Sequence, residues 1–345
     1  MSRPTVAAGY VSALLDFAVS QGADEAALCK AADLTPDLLF DQDNRVPIDS
    51  YMALMRTAKV ETDNPALALE YGAESDFQKF SVVGLISHAS ADMTEAFEQL
   101  NRYGKLVIEV EGLGDGPRFE LVQRDGGLWM EDRRTHPNDF PELTETTWSR
   151  FICGSRRDFP QETFALEAHV THDAPSHAAE YEKIWQVPVT FGGDRNAIGF
   201  NPDWVHVKIQ PENRYVFGVL SDRADALLKA LEGSKTLRGQ VEGLLIPMLH
   251  TGDIGIKTIS EKMGMSRQTL FRKLKAEDVT FAQVLDDLRR EMAMNYLTGK
   301  KVSVNETAYL VGFSDPASFS RAFKRWTGIN PRAARQNAIT NGRAP

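Results

Sequence analysis

Cysteine is scarce: the 345 residues hold two, Cys29 and Cys153. That excludes a disulfide framework and paired-cysteine zinc modules, and it fits a reducing compartment. No run of 18 apolar residues occurs, which excludes a membrane-spanning helix, and the opening Met-Ser-Arg-Pro-Thr-Val is not a secretion leader. Also missing are a phosphate loop, a Gly-x-Ser-x-Gly elbow and a dinucleotide fingerprint. A soluble, cytoplasmic chain of two or three domains is expected, without a membrane partner, cofactor or metal, and not an enzyme.

Positive charge is in deficit as well, with 39 lysines and arginines against 48 acidic residues, net −9. Taken whole, that balance argues against a nucleic-acid partner; its distribution reverses the argument. Residues 245–345 hold 16 basic and 9 acidic side chains, net +7, which leaves 23 against 39, net −16, for residues 1–244. The basic end can neutralise phosphates, and the acidic front is repelled from DNA, as suits a sensing or dimerisation domain.

What the basic end contains is two helix-turn-helix patterns. The first runs from Thr258 through Gly264 and Ser266 to Leu274, and the second from Ser303 through Gly312 and Asp315 to Trp326. Each has a short amphipathic helix, a glycine, a few turn residues and a basic second helix, the layout that sets a recognition helix in a major groove. Thr258 with Glu261, Thr280 with Gln283 and Ser303 with Glu306 have capping-box spacing, and Asp315-Pro316 is an N-cap and first-turn pair. Gly264 and Gly312 stand where the first helix of each pattern must stop.

Helical period assigns the faces. Ile259, Met263, Leu270 and Leu274 are expected to form one small core; Val304, Ala308, Leu310, Phe313, Phe319, Phe323 and Trp326 form another. The opposite faces carry Arg267, Gln268, Arg272 and Lys273 in one unit, and Ser318, Arg321, Lys324 and Arg325 in the other. These are the candidate DNA-binding residues; a single basic helix could equally be a solvated face, and two in matched frames favour DNA. Between them, Thr280–Leu297 has helical spacing of apolar residues over 18 positions, about 27 Å of helix. Major-groove faces on one side of a duplex recur roughly every 34 Å, so one such connector can hold two recognition helices in adjacent grooves.

From about Ile254 to Arg335 the chain resembles the AraC/XylS family DNA-binding domain, on Gly264-Met-Ser266, Ala308-x-x-x-Gly312-Phe313, and Phe319-Ser-Arg321-Ala-Phe323-Lys324-Arg-Trp326-x-Gly328-x-x-Pro331-x-x-x-Arg335. By that resemblance the base-reading positions are Gln268, Phe271 and Arg272, then Pro316, Ala317 and Arg321. Phe271 on an exposed face either presses on thymine methyl groups or extends the local core. The family likeness implies a transcriptional regulator, with activation through RNA polymerase as its common mode. Some proteins with this DNA-binding domain are alkyl-transfer repair enzymes, which need an activated cysteine. Cys29 lies in a plain amphipathic helix and Cys153 reads as buried, so neither fits.

The front 240 residues read as a mixed α+β domain, helical in pieces over residues 5–104. Helices are expected at Val6–Ser20, Glu25–Ala31, Ser50–Val60, Ala66–Glu74, Val82–Ala89 and Met93–Tyr103, the last closed by Gly104. Strands follow at Leu106–Glu111, Arg118–Gln123 and Leu128–Asp132, with turns over Gly112–Gly116 and Gly126-Gly127; then come helix Glu142–Arg156, strand Phe164–Val170, helix His177–Trp185, strands Val187–Phe191 and Ala197–Phe200, and helix Val216–Leu231. A domain boundary is expected near Gly233–Lys235 or Ile246–Gly252. Here Pro47-Ile-Asp-Ser-Tyr-Met, Gly84-Leu-Ile-Ser-His88-Ala-Ser, His172-x-x-Pro175 with Tyr181, and Pro188-Val-Thr-Phe191 with Asn196-Ala-Ile resemble the arabinose-binding-type domain of one AraC subgroup. That implies a small-molecule effector domain with a role in dimerisation; it does not imply arabinose.

Three front-domain features have two readings each. His169, His172 and His177 lack a ligand set and suit local hydrogen bonds better than a metal. Trp129, Trp148, Trp185, Trp204, Phe140, Phe151 and Phe191 line an apolar effector pocket or fill the core, the commoner fate. Arg133-Arg134 and Arg156-Arg157 hold a carboxylate-bearing effector or lie on the surface, with surface favoured. The expected whole is an α+β effector-sensing and dimerisation domain (1–235), a linker and first-helix region (236–252), an all-α tandem helix-turn-helix domain with a long joining helix (253–337) and a frayed tail (338–345). Its partners are promoter or operator double-stranded DNA, a small-molecule effector, a second copy and RNA polymerase. The alternative is a DNA-binding regulator without a ligand, set by abundance or a protein partner.

Overall fold

The computed structural model describes residues 3–113, 116–124, 126–209, 214–251, 254–298 and 302–341. It divides into a front unit, residues 1–228, and a back unit, residues 229–345. The division falls inside one helix, before Lys229, and not at either boundary expected from sequence; Gly252 lies outside the described residues.

The front unit opens with β1 (Thr5–Ala7), which pairs antiparallel with β2 (Arg45–Pro47) across α1 (Ala8–Ser20), α2 (Glu25–Ala31) and α3 (Pro36–Leu39). Val6, expected in a helix, instead pairs with Val46 and bridges Ile108, and its side chain is fully buried. Next come α4 (Ile48–Glu61), α5 (Leu67–Glu74), α6 (Val82–Ala89) and α7 (Met93–Val107). Gly104 does not close α7, and Leu106–Glu111 is not a strand: the helix runs on, with the Ile108 amide donating to the Gly104 carbonyl. The guanidinium of Arg45 donates to the carbonyls of Lys105 and Leu106, two acceptors that a helix end leaves unpaired.

β3 (Phe119–Arg124), β4 (Gly127–Asp132), β5 (Ala165–His169), β6 (Val189–Thr190) and β7 (Asn196–Phe200) form one sheet in the order β3-β4-β7-β5-β6, antiparallel except for β5 with β6. All five residues of central β7 are buried, Asn196 and the apolar run Ala197–Phe200 alike. Residues 114 and 115 of the expected glycine-rich turn lie outside the described residues. Against the sheet lie α8 (Pro141–Asp158) and α9 (Ala178–Trp185), and α10 (Arg214–Ser234) ends the unit. Trp148, Trp185, Tyr181, Ile198 and Phe164 are among the side chains of this core. α8 is buried around most of its girth, polar residues included: Glu142, Thr144, Glu145, Thr146 and Ser149 are all in the interior.

The back unit is helical: α11 (Leu237–Leu245), a short 3₁₀ turn (Ile246–Thr251), α12 (Ile256–Lys262), α13 (Arg267–Ala276), α14 (Phe281–Thr298), α15 (Val304–Leu310), α16 (Pro316–Thr327) and α17 (Pro331–Asn341). Ile339–Asn341, expected to fray, continue α17, and 342–345 lie outside the described residues. Three of the four helix starts carry the expected caps: Thr280 with Gln283 and Ser303 with Glu306 are reciprocal, and Asp315 accepts from the Ser318 amide. The fourth does not. α12 begins after Gly255, so Thr258 sits inside the helix. Gly264 and Gly312 adopt positive φ, +63° and +79°, as the two helix stops require.

Candidate functional site: two exposed basic helices and a front-domain cavity

α12–α13 and α15–α16 are two helix-turn-helix units joined by α14, whose 18 residues span about 27 Å. The first has a core of Ile259, Leu270, Leu274, Val284 and Leu288 with Met263 packed against it; the second has Ala308, Phe319 and Phe323 with Val304, Phe313 and Trp326. Met292 of α14 packs against both. Leu310 is outside the second core, and Val311, one position on, is fully buried in it. The turn into Gly312 rotates that next side chain inward, which helical period alone did not foresee.

Every candidate on α13 is exposed: Ser266, Arg267, Gln268, Phe271, Arg272 and Lys273. Gln268, Phe271 and Arg272 fall at i, i+3 and i+4, and Lys275, which the sequence reading passed over, extends that stripe at i+7. Continuing the spacing by one turn would have found it. Phe271 is 55% exposed, so it does not extend the core. Ser266 is the N-cap of α13, its hydroxyl accepting from the Thr269 amide at 3.1 Å.

On α16, Ala317, Arg321, Lys324 and Arg325 are exposed, and Pro316 and Ser318 are half-buried. Ala317, Arg321 and Lys324 again follow i, i+4, i+7. Arg321 donates to the Ser318 hydroxyl at 2.8 Å, and Arg325 pairs with Asp286 of α14 at 3.0 Å. Arg289 of α14, which the sequence reading missed, donates to the carbonyls of Val311 and Gly312, both at 3.0 Å, with its guanidinium over the Phe313 ring. It satisfies carbonyls at the end of α15 and ties the second unit to the connector. A Cβ at Gly312 would lie 2.4 Å from the Leu249 carbonyl oxygen, so this turn needs glycine for space as well as for its φ.

The front unit has a half-open cavity of about 210 Å³. Phe97, Leu100, Phe119, Phe151, Phe164 and Trp204 supply apolar wall, and Thr147 and Arg150 of α8 contribute polar groups. Of the aromatics singled out from sequence, Phe151 and Trp204 reach this cavity, whereas Trp148 and Trp185 are wholly buried in the core. Phe140 packs on Tyr51, Phe191 on Tyr181, and Trp129 against His169. The α7 wall, Phe97, Leu100, Gly104 and Val107, follows helical spacing, a signal that the reading of Gly104 as the helix end cut short.

The arginine pairs behave differently from expectation. Arg134 is not on the surface: its side chain is 6% exposed, ion-paired with Asp132 at 2.9 Å and hydrogen-bonded to Thr144. Burial would raise the Asp132 carboxyl, but Arg118 and Arg134 together hold it below the ordinary carboxylate range. Arg133 is exposed and pairs with Glu120. Arg156 donates to the carbonyls of Ile184 and Trp185, and Arg157 lies at the cavity edge beside Asp158. The histidines make local bonds: His177 with Glu145 at 2.9 Å, His172 with Tyr181 at 3.2 Å and His169 with Glu167 at 3.3 Å. Among the described residues, no group of three potential metal ligands is assembled. Burial raises the thiols of Cys29 and Cys153, the opposite of nucleophile activation.

Two helix-turn-helix units with exposed basic second helices, on one rigid connector, define a DNA-binding protein of the tandem type. Residues 22–209 match the family profile described as the arabinose-binding domain of AraC transcription regulator, N-terminal, and residues 259–337 match a helix-turn-helix domain. The chain belongs to the AraC family of transcriptional regulators. It is 26% identical over 340 residues to the ornithine utilization regulator of Pseudomonas aeruginosa, covering 96% of each chain. It is 23% identical to the transcriptional regulator VirS of Mycobacterium tuberculosis, over 99% of this chain and 98% of that one. The solved structure of the transcriptional regulator CdpR from Pseudomonas aeruginosa aligns with a TM-score of 0.40 at 18% identity, covering 90% of this chain and 96% of that one. The relatives are regulators and not enzymes. No helix among the described residues is long and apolar enough to cross a membrane.

Proposed function

We propose that the protein is a cytoplasmic, effector-controlled activator in which α13 and α16 enter adjacent major grooves of a promoter. Ser266, Arg267, Gln268, Phe271, Arg272 and Lys273 form one contact set; Pro316, Ala317, Ser318, Arg321, Lys324 and Arg325 form the other. The observation that carries this reading is the pair of matched exposed stripes, Gln268/Phe271/Arg272 and Ala317/Arg321/Lys324, on helices whose opposite faces are buried. Arg272 and Arg321 have the fork that donates two hydrogen bonds to guanine. Ser266 serves first as a cap, and Arg325, held by Asp286, contacts backbone phosphate and not a base. A front-unit ligand shifts the population of the DNA-competent dimer, and the bound dimer meets RNA polymerase. Support for the ligand comes from the apolar cavity of the front unit.

Binding-site selection with purified full-length protein tests the reading, compared with the Arg272→Ala/Arg321→Ala variant. Two short conserved blocks about one helical turn apart, lost in the variant, are expected. Each arginine that reads a base contributes about 1–3 kcal/mol of discrimination. An equal loss on selected and random DNA would reduce both arginines to phosphate contacts.

A further inference from the structure

Arg150 sits on α8 in the wall of the front-unit cavity. Its Nε donates to the Ser75 hydroxyl at 3.1 Å and one Nη to the Tyr10 hydroxyl at 2.8 Å; the other Nη is buried without a hydrogen-bond partner. The rings of Tyr10, Tyr71, Phe77 and Phe80 surround the guanidinium at 4.9–5.7 Å. Among the described residues no carboxylate pairs with it; the groups that act on its charge are tyrosines. The cation is held by two hydroxyls and four ring faces and has no carboxylate beside it, whereas buried charges are ordinarily paired with an opposite charge.

The other charged groups at this cavity are already engaged. Asp76 pairs with Lys79 at 3.6 Å and accepts from the Gln78 amide, and Asp158 pairs with Arg157 at 3.3 Å. A second wall residue, Trp204, also has its indole N–H buried and unpartnered. Both orphaned polar groups in the wall are therefore N–H donors, and what they lack is an acceptor. The volume, about 210 Å³, exceeds the roughly 150 Å³ engineered cavity that takes up benzene.

We infer that this cavity binds a small monocarboxylate with an apolar body of about one ring or a short chain, its carboxylate received by Arg150. The inference rests on the proposal that the front unit senses a small molecule, and it supplies that molecule's chemical class and the residue that selects it. The aromatic wall takes the apolar body, and the unpaired Nη gains the charge-assisted hydrogen bond it lacks.

The test is titration calorimetry of the full-length protein with benzoate, phenylacetate, hexanoate and octanoate, each beside its neutral amide. Two variants accompany the wild type. Arg150→Met removes the cation at similar length. Gly104→Leu fills the cavity from α7, where a Cβ meets nothing within 4 Å, and its thermal melting is compared with the wild type to check the fold. At least one acid should bind about 10- to 100-fold more tightly than its amide, the scale of a charged hydrogen bond. Arg150→Met should erase that difference, and Gly104→Leu should abolish binding of both. Amides that bind as well as acids, still blocked by Gly104→Leu, would overturn the carboxylate class and leave the sensing cavity standing. Acids indifferent to both variants would bind elsewhere, overturning the cavity while effector sensing survives. No binding by any acid or amide would overturn the inference and remove the cavity's support for sensing.

Discussion

In the back unit, the starts of α13, α15 and α16 are set by side chains that bond three residues away: Ser266 to Thr269, Ser303 to Glu306, Asp315 to Ser318. In the front unit, the polar contacts that organise the interior cross long stretches of chain. Arg150 reaches Tyr10 over 140 positions, Thr5 reaches Glu109 over 104, and Thr146 meets the Ala68 carbonyl over 78. One unit is specified by neighbours in sequence and the other by neighbours in space. The difference teaches where each should fail: the front when one deep residue of α8 is removed, the back when a local cap or hinge contact is removed.

The largest expected effect is therefore on α8. Trp148 is fully buried between the sheet and the helices, and Trp148→Ala should cost about 3–5 kcal/mol, read as a lower urea midpoint by far-ultraviolet circular dichroism. A cost below about 1 kcal/mol would mean that α8 is not the organising element. Next is a long-range polar tie of the back unit, Arg289. Arg289→Met removes two hydrogen bonds to the end of α15 and should cost about 2–3 kcal/mol. Hydrogen exchange should show α15 and α16 losing protection while α12 and α13 keep theirs. Uniform loss would break the comparison, because the back unit would then also depend on distant contacts throughout.

Acid should separate the two units next. Burial disfavours the charges of Glu145 and Asp132, but His177 and Tyr181 around the first, and Arg118 and Arg134 around the second, more than offset it, so both carboxyls titrate below their ordinary range. A depressed folded pKa contributes stability above the unfolded value, about 4, and that stability is lost as pH falls through the folded value. Urea midpoints of the front unit should thus fall between pH 7 and pH 3, and fall less in Glu145→Gln. Tryptophan fluorescence follows this, since Trp129, Trp148, Trp185 and Trp204 lie in the front unit and Trp326 in the back. Glu306 and Asp315 are also depressed, through hydrogen bonds to Ser303 and Ser318, but they are solvent-exposed caps and should weigh far less.

What was legible in the sequence follows the same division. Caps, glycine stops and the exposed stripes of α13 (i, i+3, i+4) and α16 (i, i+4, i+7) are local chemistry, so they could be read in order along the chain. The misses in the back unit are places where tertiary contact intervened: Val311 turned inward in place of Leu310, α12 started two residues before Thr258, and Arg289 reached across to the next helix. In the front unit most elements were visible but their partners were not. Arg134 read as a surface charge although Asp132 is two residues away, because nothing local shows that the pair is folded into the interior against the Thr144 hydroxyl of α8. α8 has polar residues buried among apolar ones, so no periodic pattern marks which of them face the cavity. Arg150 was passed over for that reason.

The smallest effect is the sharpest probe of local specification, because Ser266 has two candidate roles. Its hydroxyl caps α13 through the Thr269 amide, and it is exposed beside the residues proposed to meet DNA. As a cap alone, Ser266→Ala should cost about 1 kcal/mol of stability, and Ser266→Asn should restore it, since asparagine caps as well as serine. Ser266→Asp should restore stability too, because a carboxylate favours a helix N-terminus. At the phosphate backbone the same carboxylate is repelled, so DNA affinity should fall in Ser266→Asp and hold in Ser266→Asn. Thermal melting and DNA titration of the three variants separate the roles. If all three melt alike and bind alike, the cap does not specify where α13 begins. If Ser266→Asn loses affinity while keeping stability, the hydroxyl itself touches DNA, and the residue that starts the recognition helix is also one that reads or positions the duplex.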